Sequence, residues 1–220
     1  MPKLSKKKGI IVAFDMVDTS FAVKLAEELN NAEGNFAIKI GRPLEMQIGK
    51  TIISKIKEVS DLPIIYDGKI ADIPYISKRI AKDAYDSGAD AVIMHAFLGS
   101  DAIMEVKDLG GGDVIIVIEM SHRGSDEFIR PVSEKMTGFV KDFGINGVVL
   151  PATRPDRVKK LSKMIGDAYI ISPGIKTQGG VVGAAILAGA DYEVVGRAIY
   201  EAKRPKEAAE EIYRHAVCKT

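Results

Sequence analysis

Two charged residues, Asp67 and Lys69, stand two positions apart in the segment Asp67-Gly68-Lys69-Ile70-Ala71-Asp72. In a β-strand that spacing puts both side chains on one face. A carboxylate that holds an ammonium keeps the lysine charged and aimed, which is what a proton donor needs. Lys39 belongs to an earlier apolar run, and Asp72 lies three residues beyond Lys69. If the runs carrying Lys39 and Asp67 are neighbouring strands, then Lys39, Asp67, Lys69 and Asp72 form an alternating array. Spacing alone leaves Asp72 equally open to a plainer role, the cap of the next helix, where a carboxylate suits the N-terminal dipole. A single charge at a strand end is most often one half of a structural ion pair. Several alternating charges on successive runs point instead to a site.

A second set of residues could hold a phosphate. The stretch Ser172-Pro173-Gly174-Ile175-Lys176-Thr177-Gln178-Gly179-Gly180 is rich in glycine, and Gly196 precedes Arg197. Glycine lets backbone N–H groups come close to an anion, and a guanidinium offers it a bidentate fork. Either stretch alone also fits a surface loop or a helix-start arginine; their joint placement favours an anion site. Asp15 ends the first apolar run, and Glu119-Met120-Ser121-His122 follows the fifth. Ser121 lacks the Gly-x-Ser-x-Gly setting of an activated serine, which argues against a nucleophile. His95 closes the fourth run and reads as a hydrogen-bonded residue of the barrel top. His122 sits in a loop with no second histidine at metal-site spacing. His215 reads as a surface residue of the last helix, and the eight methionines as packing.

These residues need a scaffold, and the apolar pattern supplies one. Short runs rich in Val, Ile or Ala occupy Gly9–Phe14, Phe36–Ile40, Leu62–Tyr66, Ala91–Met94, Val114–Ile118, Gly147–Leu150, Ala168–Ile171 and Glu193–Val195. Such runs read as strands buried on both faces. Helical periodicity lies between them, over Phe21–Leu29, Met46–Val59, Ile76–Ser87, Pro131–Phe143 and Arg154–Ile165, with a closing helix from Arg197 to Val217. Eight strand–helix units in this length predict an α/β fold, a single (β/α)8 barrel whose polar strand ends converge on one mouth. An open doubly wound sheet is the structural alternative, but it usually needs fewer strands, and no Gly-x-Gly-x-x-Gly follows the first one. The eighth run is the weakest strand, being short and carrying the charge of Glu193.

Composition narrows the function. Among 220 residues, 31 basic and 30 acidic side chains nearly cancel, so non-specific binding to nucleic acid or a membrane surface is not expected. Cys218 is the one cysteine, which excludes an intrachain disulfide or a cysteine-rich metal site and suits a reducing cytoplasm. The first apolar run is too short for a signal core or a membrane span. No linker or composition shift divides the chain, so residues 1–220 read as one domain, with 1–8 a solvated basic tail.

Taken together and in this order, several motifs resemble the orotidine 5′-phosphate decarboxylase family, particularly its compact archaeal-type members. They are Asp67-x-Lys69-x-x-Asp72-Ile73-Pro74, Glu119-Met120-Ser121-His122, Pro151-x-Thr153-Arg154-Pro155, Ile171-Ser172-Pro173-Gly174 with Gln178-Gly179-Gly180, and Val195-Gly196-Arg197-x-Ile199-Tyr200. The first alone is shared by a wider decarboxylase and aldolase-like group; the full set is specific and spans nearly the whole chain. The resemblance implies decarboxylation of orotidine 5′-phosphate to uridine 5′-phosphate, the last step of de novo pyrimidine nucleotide synthesis, without metal or organic cofactor. It implies that Lys69 protonates the carbon that loses carbon dioxide, and that Asp67 lies beside the substrate carboxylate and helps hold Lys69. Lys39 would link Asp67 to the ribose hydroxyls, which Asp15 would also bind. Ser121 would recognise the pyrimidine, while Gln178, Arg197 and the Gly196 backbone would hold the phosphate. Asp72 would be offered across a homodimer interface to the partner's site.

Two positions depart from that pattern. Gly68 stands where such proteins usually carry a larger residue, and Ile76 where they often carry a threonine, so no ribose contact is assigned to Ile76. Two other functions compete. A metal-dependent decarboxylase or synthase acting on 3-keto-gulonate 6-phosphate or hexulose 6-phosphate would resemble the same Asp-x-Lys-x-x-Asp motif and phosphate loop. Those enzymes place a magnesium-binding glutamate where this chain has Lys39, and a cation there would repel a divalent ion. A catalytically silent phosphate-binding barrel or assembly subunit would have no need to keep a charge on every expected strand.

Overall fold

A computed structural model describes residues 4–176 and 178–217. Among these, eight parallel strands close into a barrel in the order of the sequence. They are β1 (Gly9–Phe14), β2 (Phe36–Gly41), β3 (Ile64–Ile70), β4 (Ala91–His95), β5 (Asp113–Val117), β6 (Gly147–Val149), β7 (Tyr169–Pro173) and β8 (Tyr192–Val195). β1 pairs with β2 and with β8, so no edge is left open. The predicted barrel is the observed one.

The strands read as unbroken apolar runs because both faces are covered. Side chains of one parity point inward: Ile11, Ala13, Ala37, Ile65, Ile93, Ile115, Val117, Val149, Ile171 and Val194 belong to one buried cluster inside the barrel. Those of the other parity, such as Ile10, Val12, Ile38, Ile64, Val92, Ile116 and Val148, join the larger core between barrel and helices. That core takes the apolar stripes of α1 (Thr19–Asn30), α3 (Thr51–Lys57), α4 (Pro74–Asp86), α5 (Ser100–Lys107), α7 (Ser133–Asp142), α8 (Pro155–Ser162) and α11 (Pro205–Val217). The remaining helices are α2 (Arg42–Ile48), α6 (Ser125–Phe128), α9 (Ala184–Leu187) and α10 (Arg197–Tyr200).

Three local departures from the sequence expectations have identifiable causes. The helix expected over Met46–Val59 is two helices, because Gly49 ends α2 at a φ of 66°, a left-handed value that glycine tolerates. The closing segment from Arg197 likewise divides into α10 and α11, with Pro205 as the first residue of the second. Within the tail expected to be solvated, Ser5, Lys6 and Lys7 are exposed, but Leu4 is buried at 8% exposure against the inner barrel cluster. Lys8 is also held, donating to the Ala190 carbonyl at 2.5 Å and pairing with Asp191 at 3.5 Å. Leu4 thus packs against the N-terminal end of the barrel. Cys218 and residues 1–3 lie outside the described residues.

Candidate active site

The mouth at the C-terminal strand ends is built around one carboxylate. Asp67 is 4% exposed. Its Oδ2 pairs with Lys39 Nζ at 2.9 Å, while Lys69 Nζ donates to both carboxylate oxygens at 2.8 Å. Lys39 also reaches Asp15 Oδ1 at 3.3 Å. Burial alone would raise the Asp67 carboxyl, but the ammonium groups of Lys39 and Lys69 outweigh it and hold it down to about 2. Burial would likewise lower Lys39, and Asp67 and Asp15 reverse that, so its ammonium is stabilised above the ordinary lysine value. At neutral pH Asp67 and Lys39 are therefore both ionised, each held so by the other's charge.

The backbone explains how Lys69 reaches this centre. Tyr66 pairs with Val92 and Ile70 with Met94, so residues 67–69 stand against Ile93 alone. This bulge lengthens β3 beyond the apolar run that ended at Tyr66, and Lys69 adopts a φ of 41°. Such a conformation costs a non-glycine residue about 1 kcal/mol or more. The bulge re-aims the side chain, as bulges beside active sites do. Lys69 remains 43% exposed, so it faces the mouth as well as Asp67.

Gly68 has a steric reason. A Cβ at that position would lie 2.5 Å from Tyr66 Cε1 and 2.8 Å from Cζ. The Tyr66 ring is fully buried, and its hydroxyl donates to Glu45 Oε1 at 2.9 Å. Gly41, at the end of β2, has the same kind of reason: a Cβ there would overlap the Asp15 carboxylate. Sequence reasoning missed Gly41. Its only signal was a glycine two residues after Lys39, next to an expected strand end.

The remaining expected residues line two connected chambers. One, of about 170 Å³, is bounded by Lys39, Asp67, Lys69, Ser121 and Gln178, over a floor that includes Ile93, Val117, Val149 and Ile171. The other, of about 190 Å³, shares Lys39, Asp67, Lys69 and Gln178 and adds Asp15, Gly174, Gly196, Arg197 and Tyr200. The first has an apolar floor suited to a flat ring. The second gathers polar groups and backbone. Ser121 Oγ donates to Gln178 Oε1 at 2.8 Å, closing a bridge over the mouth. The segment carrying Ser121 is anchored from below by fully buried Glu119. Arg157 binds it at 2.9 and 3.0 Å and Arg154 at 3.5 Å, and Arg154 also donates to the Met120 carbonyl.

Asp72 does not join the array within its own chain. It is exposed, and among the described residues its carboxylate accepts from the backbone N–H of Ile73 at 2.7 Å. Nor does it cap α4, whose N-cap is Ile73 with no side-chain cap bond. The in-chain array is Asp15–Lys39–Asp67–Lys69. His95 also differs from expectation. Among the described residues its buried Nδ1 has no hydrogen-bond partner, and the ring lies 4.6 Å from that of Phe97. Burial and the nearby Lys69 charge lower its pKa, favouring the neutral imidazole. His122 is exposed in its loop.

A larger concavity of about 640 Å³ opens at the opposite end of the barrel, between Leu4, Asp113, Lys141, Asp167 and Tyr169. Strand N-termini in barrels carry stability, whereas chemistry gathers at the other face. The smaller chambers, which hold the charged array, are therefore the candidate site. Among the described residues, no three His, Cys, Asp or Glu side chains are grouped to hold a metal ion, and no helix is long and apolar enough to cross a membrane.

Comparison with known proteins adds an independent finding. Residues 8–212 match the model of the orotidine 5′-phosphate decarboxylase / HUMPS family. Orotidine 5′-phosphate decarboxylase of Pyrococcus furiosus is 41% identical over 93% of this chain and 95% of its own length. That of Methanosarcina acetivorans is 44% identical over 95% of both chains. Among solved structures, orotidine 5′-monophosphate decarboxylase of Methanocaldococcus jannaschii, in complex with the inhibitor BMP, superposes with a TM-score of 0.88 at 34% identity, covering 96% of this chain and 99% of that one. The enzyme of Pyrococcus horikoshii superposes with a TM-score of 0.86 at 40% identity, over 94% and 98% of the two chains.

Proposed function

Because the chain belongs to the orotidine 5′-phosphate decarboxylase / HUMPS family, we propose that it decarboxylates orotidine 5′-phosphate to uridine 5′-phosphate, in the cytoplasm and without a metal ion. The observation that carries this reading is the pair of lysines on one buried carboxylate, Lys39 and Lys69 on Asp67. A sugar-phosphate enzyme of the same family would need an anionic ligand for magnesium where Lys39 stands. An ammonium 2.9 Å from Asp67 already occupies that carboxylate's charge.

The chemistry demands such a centre. Loss of carbon dioxide from the pyrimidine breaks a C–C bond and leaves the electron pair on an sp² ring carbon with no neighbouring electron sink. The pair must be stabilised electrostatically and receive a proton at once. Lys69 supplies both, as a cation held at 2.8 Å from Asp67 with its ammonium turned to the mouth. The ring lies over the apolar floor with Ser121 at its polar edge. Asp15 and Lys39 meet the ribose hydroxyls, and Gln178, Arg197 and the Gly196 backbone hold the phosphate. Phosphate binding supplies remote energy that positions the ring. Asp72, exposed beside the mouth, serves the site of the partner in a homodimer.

The deciding assay follows the loss of orotidine 5′-phosphate absorbance with chelator-treated, folded protein. Turnover without added metal is expected. No turnover, or turnover restored only by magnesium, overturns the reading. Lys69→Ala should lower turnover by at least ~10³-fold while product binding persists, because proton delivery and electrostatic stabilisation are lost together. Near-normal turnover of that variant would reject the proton-donor role.

A further inference from the structure

Glu193 is the charge that made β8 look unlike a buried strand. On this strand Tyr192 and Val194 face the barrel interior, and Glu193 has the opposite parity, toward the helices. It is fully buried. A carboxylate in that layer is costly unless its oxygens are bonded. Both are: Oε2 accepts the Gly183 N–H at 2.9 Å, and Oε1 accepts the Ala185 N–H at 3.1 Å. Gly183 is where the phosphate-side loop ends and α9 begins, at a φ of 86°.

Described residues of the loop also bond to one another. The Gly180 N–H donates to the Gly174 carbonyl at 2.9 Å and the Lys176 N–H to the Gly180 carbonyl at 2.7 Å. One root of this loop, whose bridge between Ile175 and Gly180 is parallel, is the end of β7. The other, reached through exposed Val181, is held by Glu193 from the neighbouring strand, since Ser172 on β7 is in register with Glu193 on β8. Gln178 hangs from this loop and spans the mouth to Ser121.

We propose that Glu193 is a positioning residue for phosphate recognition: its two backbone bonds fix the return root of the loop, so that Gln178 and the loop backbone are set at the distance a 5′-phosphate requires. The proposal rests on the substrate reading above. It predicts an effect confined to ligands that carry the phosphate. An apolar residue at 193 would pack against the same core and leave two N–H groups of the α9 turn unpaired.

The test compares wild type with Glu193→Gln and Glu193→Leu, using uridine 5′-monophosphate and uridine as binding probes and orotidine 5′-phosphate for turnover. Glu193→Gln keeps the shape but loses the charge and one acceptor. It should raise the Michaelis constant for the nucleotide and weaken uridine 5′-monophosphate binding by about tenfold, the worth of one charge-assisted hydrogen bond, with kcat changed less and uridine affinity unchanged. Equal losses for both probes, or no change in their ratio, would reduce Glu193 to a structural residue and overturn the proposal. If wild type fails to turn over, the substrate reading fails, while the ratio of nucleotide to nucleoside affinity still decides the role of Glu193. If neither variant folds, amide exchange of the wild type decides: Gly183 and Ala185 should gain protection with uridine 5′-monophosphate and not with uridine. Equal protection by both would overturn the proposal.

Discussion

At the scale of residues, the centre is governed by how tightly Asp67 is held. The ordinary value of an Asp carboxyl is 3.8, and in the folded chain it lies at about 2. The sign of the consequence follows from linkage. A carboxyl whose folded value is depressed adds stability that is fully present above the unfolded value and is lost as pH falls through the folded one. Asp67 should therefore contribute about 2 kcal/mol near neutrality, vanishing on acidification from the ordinary value down to about 2. Urea unfolding across that window should show a shallower pH slope for Asp67→Asn than for wild type; equal slopes would show that the lysine pairs add no acid-labile stability. Gly68 makes a second prediction. The new methyl of Gly68→Ala would meet the Tyr66 ring, which cannot retreat without breaking its bond to Glu45. A loss of about 1–3 kcal/mol in thermal or urea unfolding is expected from such overpacking. It should be accompanied by reduced turnover, because the neighbouring residue is Lys69. Unchanged stability and turnover would mean that the ring has room the geometry does not show.

At the scale of elements, the same physics decides what the sequence reveals. Runs such as Gly9–Phe14 and Phe36–Ile40 were legible because a parallel strand buried on both faces needs apolar residues at every position. The apolar run of β3 ends at Tyr66, and Asp67 and Lys69 read as its strand end with both side chains on one face; the bulge that carries them left no apolar signal, because these charges answer to the site and not to the core. Glu193 obscured β8 for a similar reason, being a buried charge that serves a loop. Gly49 hid in a helical pattern because nothing local requires a chain reversal there. The site was more readable than these boundaries: Asp15, Lys39, Asp67, Lys69, Ser121, Gln178, Gly196 and Arg197 all line the two chambers. Less visible was what carries Ser121. Glu119 is fully buried, and Arg157 provides its shortest bond, at 2.9 Å. Arg157→Ala would leave that carboxylate with Arg154 at 3.5 Å as its nearest remaining hydrogen-bond partner. Breaking a buried pair from one side should cost about 3 kcal/mol, measurable by urea unfolding, and should loosen the Ser121–Gln178 bridge. A cost below about 1 kcal/mol, the range of exposed pairs, would show that Arg154 at 3.5 Å and Arg130 at 4.0 Å suffice.

At the scale of the whole molecule, barrel closure lets side chains from β1, β2, β3 and the segments after β5, β7 and β8 meet at one mouth, although Asp15 and Arg197 are far apart in sequence. Asp72 is left out of that convergence. It stands exposed at the entrance to α4, among Ile73 and Tyr75, each 64% exposed, with Phe97 half-exposed after β4. In the proposed homodimer a two-fold axis carries Asp72 of one chain to the mouth of the other. Such sharing can be tested by mixing two inactive variants. A Lys69→Ala chain lacks the lysine proposed as its proton donor but still offers Asp72. An Asp72→Ala chain keeps Lys69 but cannot complete its partner. After unfolding and refolding an equal mixture, half the dimers contain one chain of each kind, and one of the two sites in each is whole. About a quarter of wild-type activity should return on this C2 arithmetic. If the mixture is no more active than the sum of its parts, Asp72 does not cross between chains, and the exposed carboxylate beside the mouth has another use.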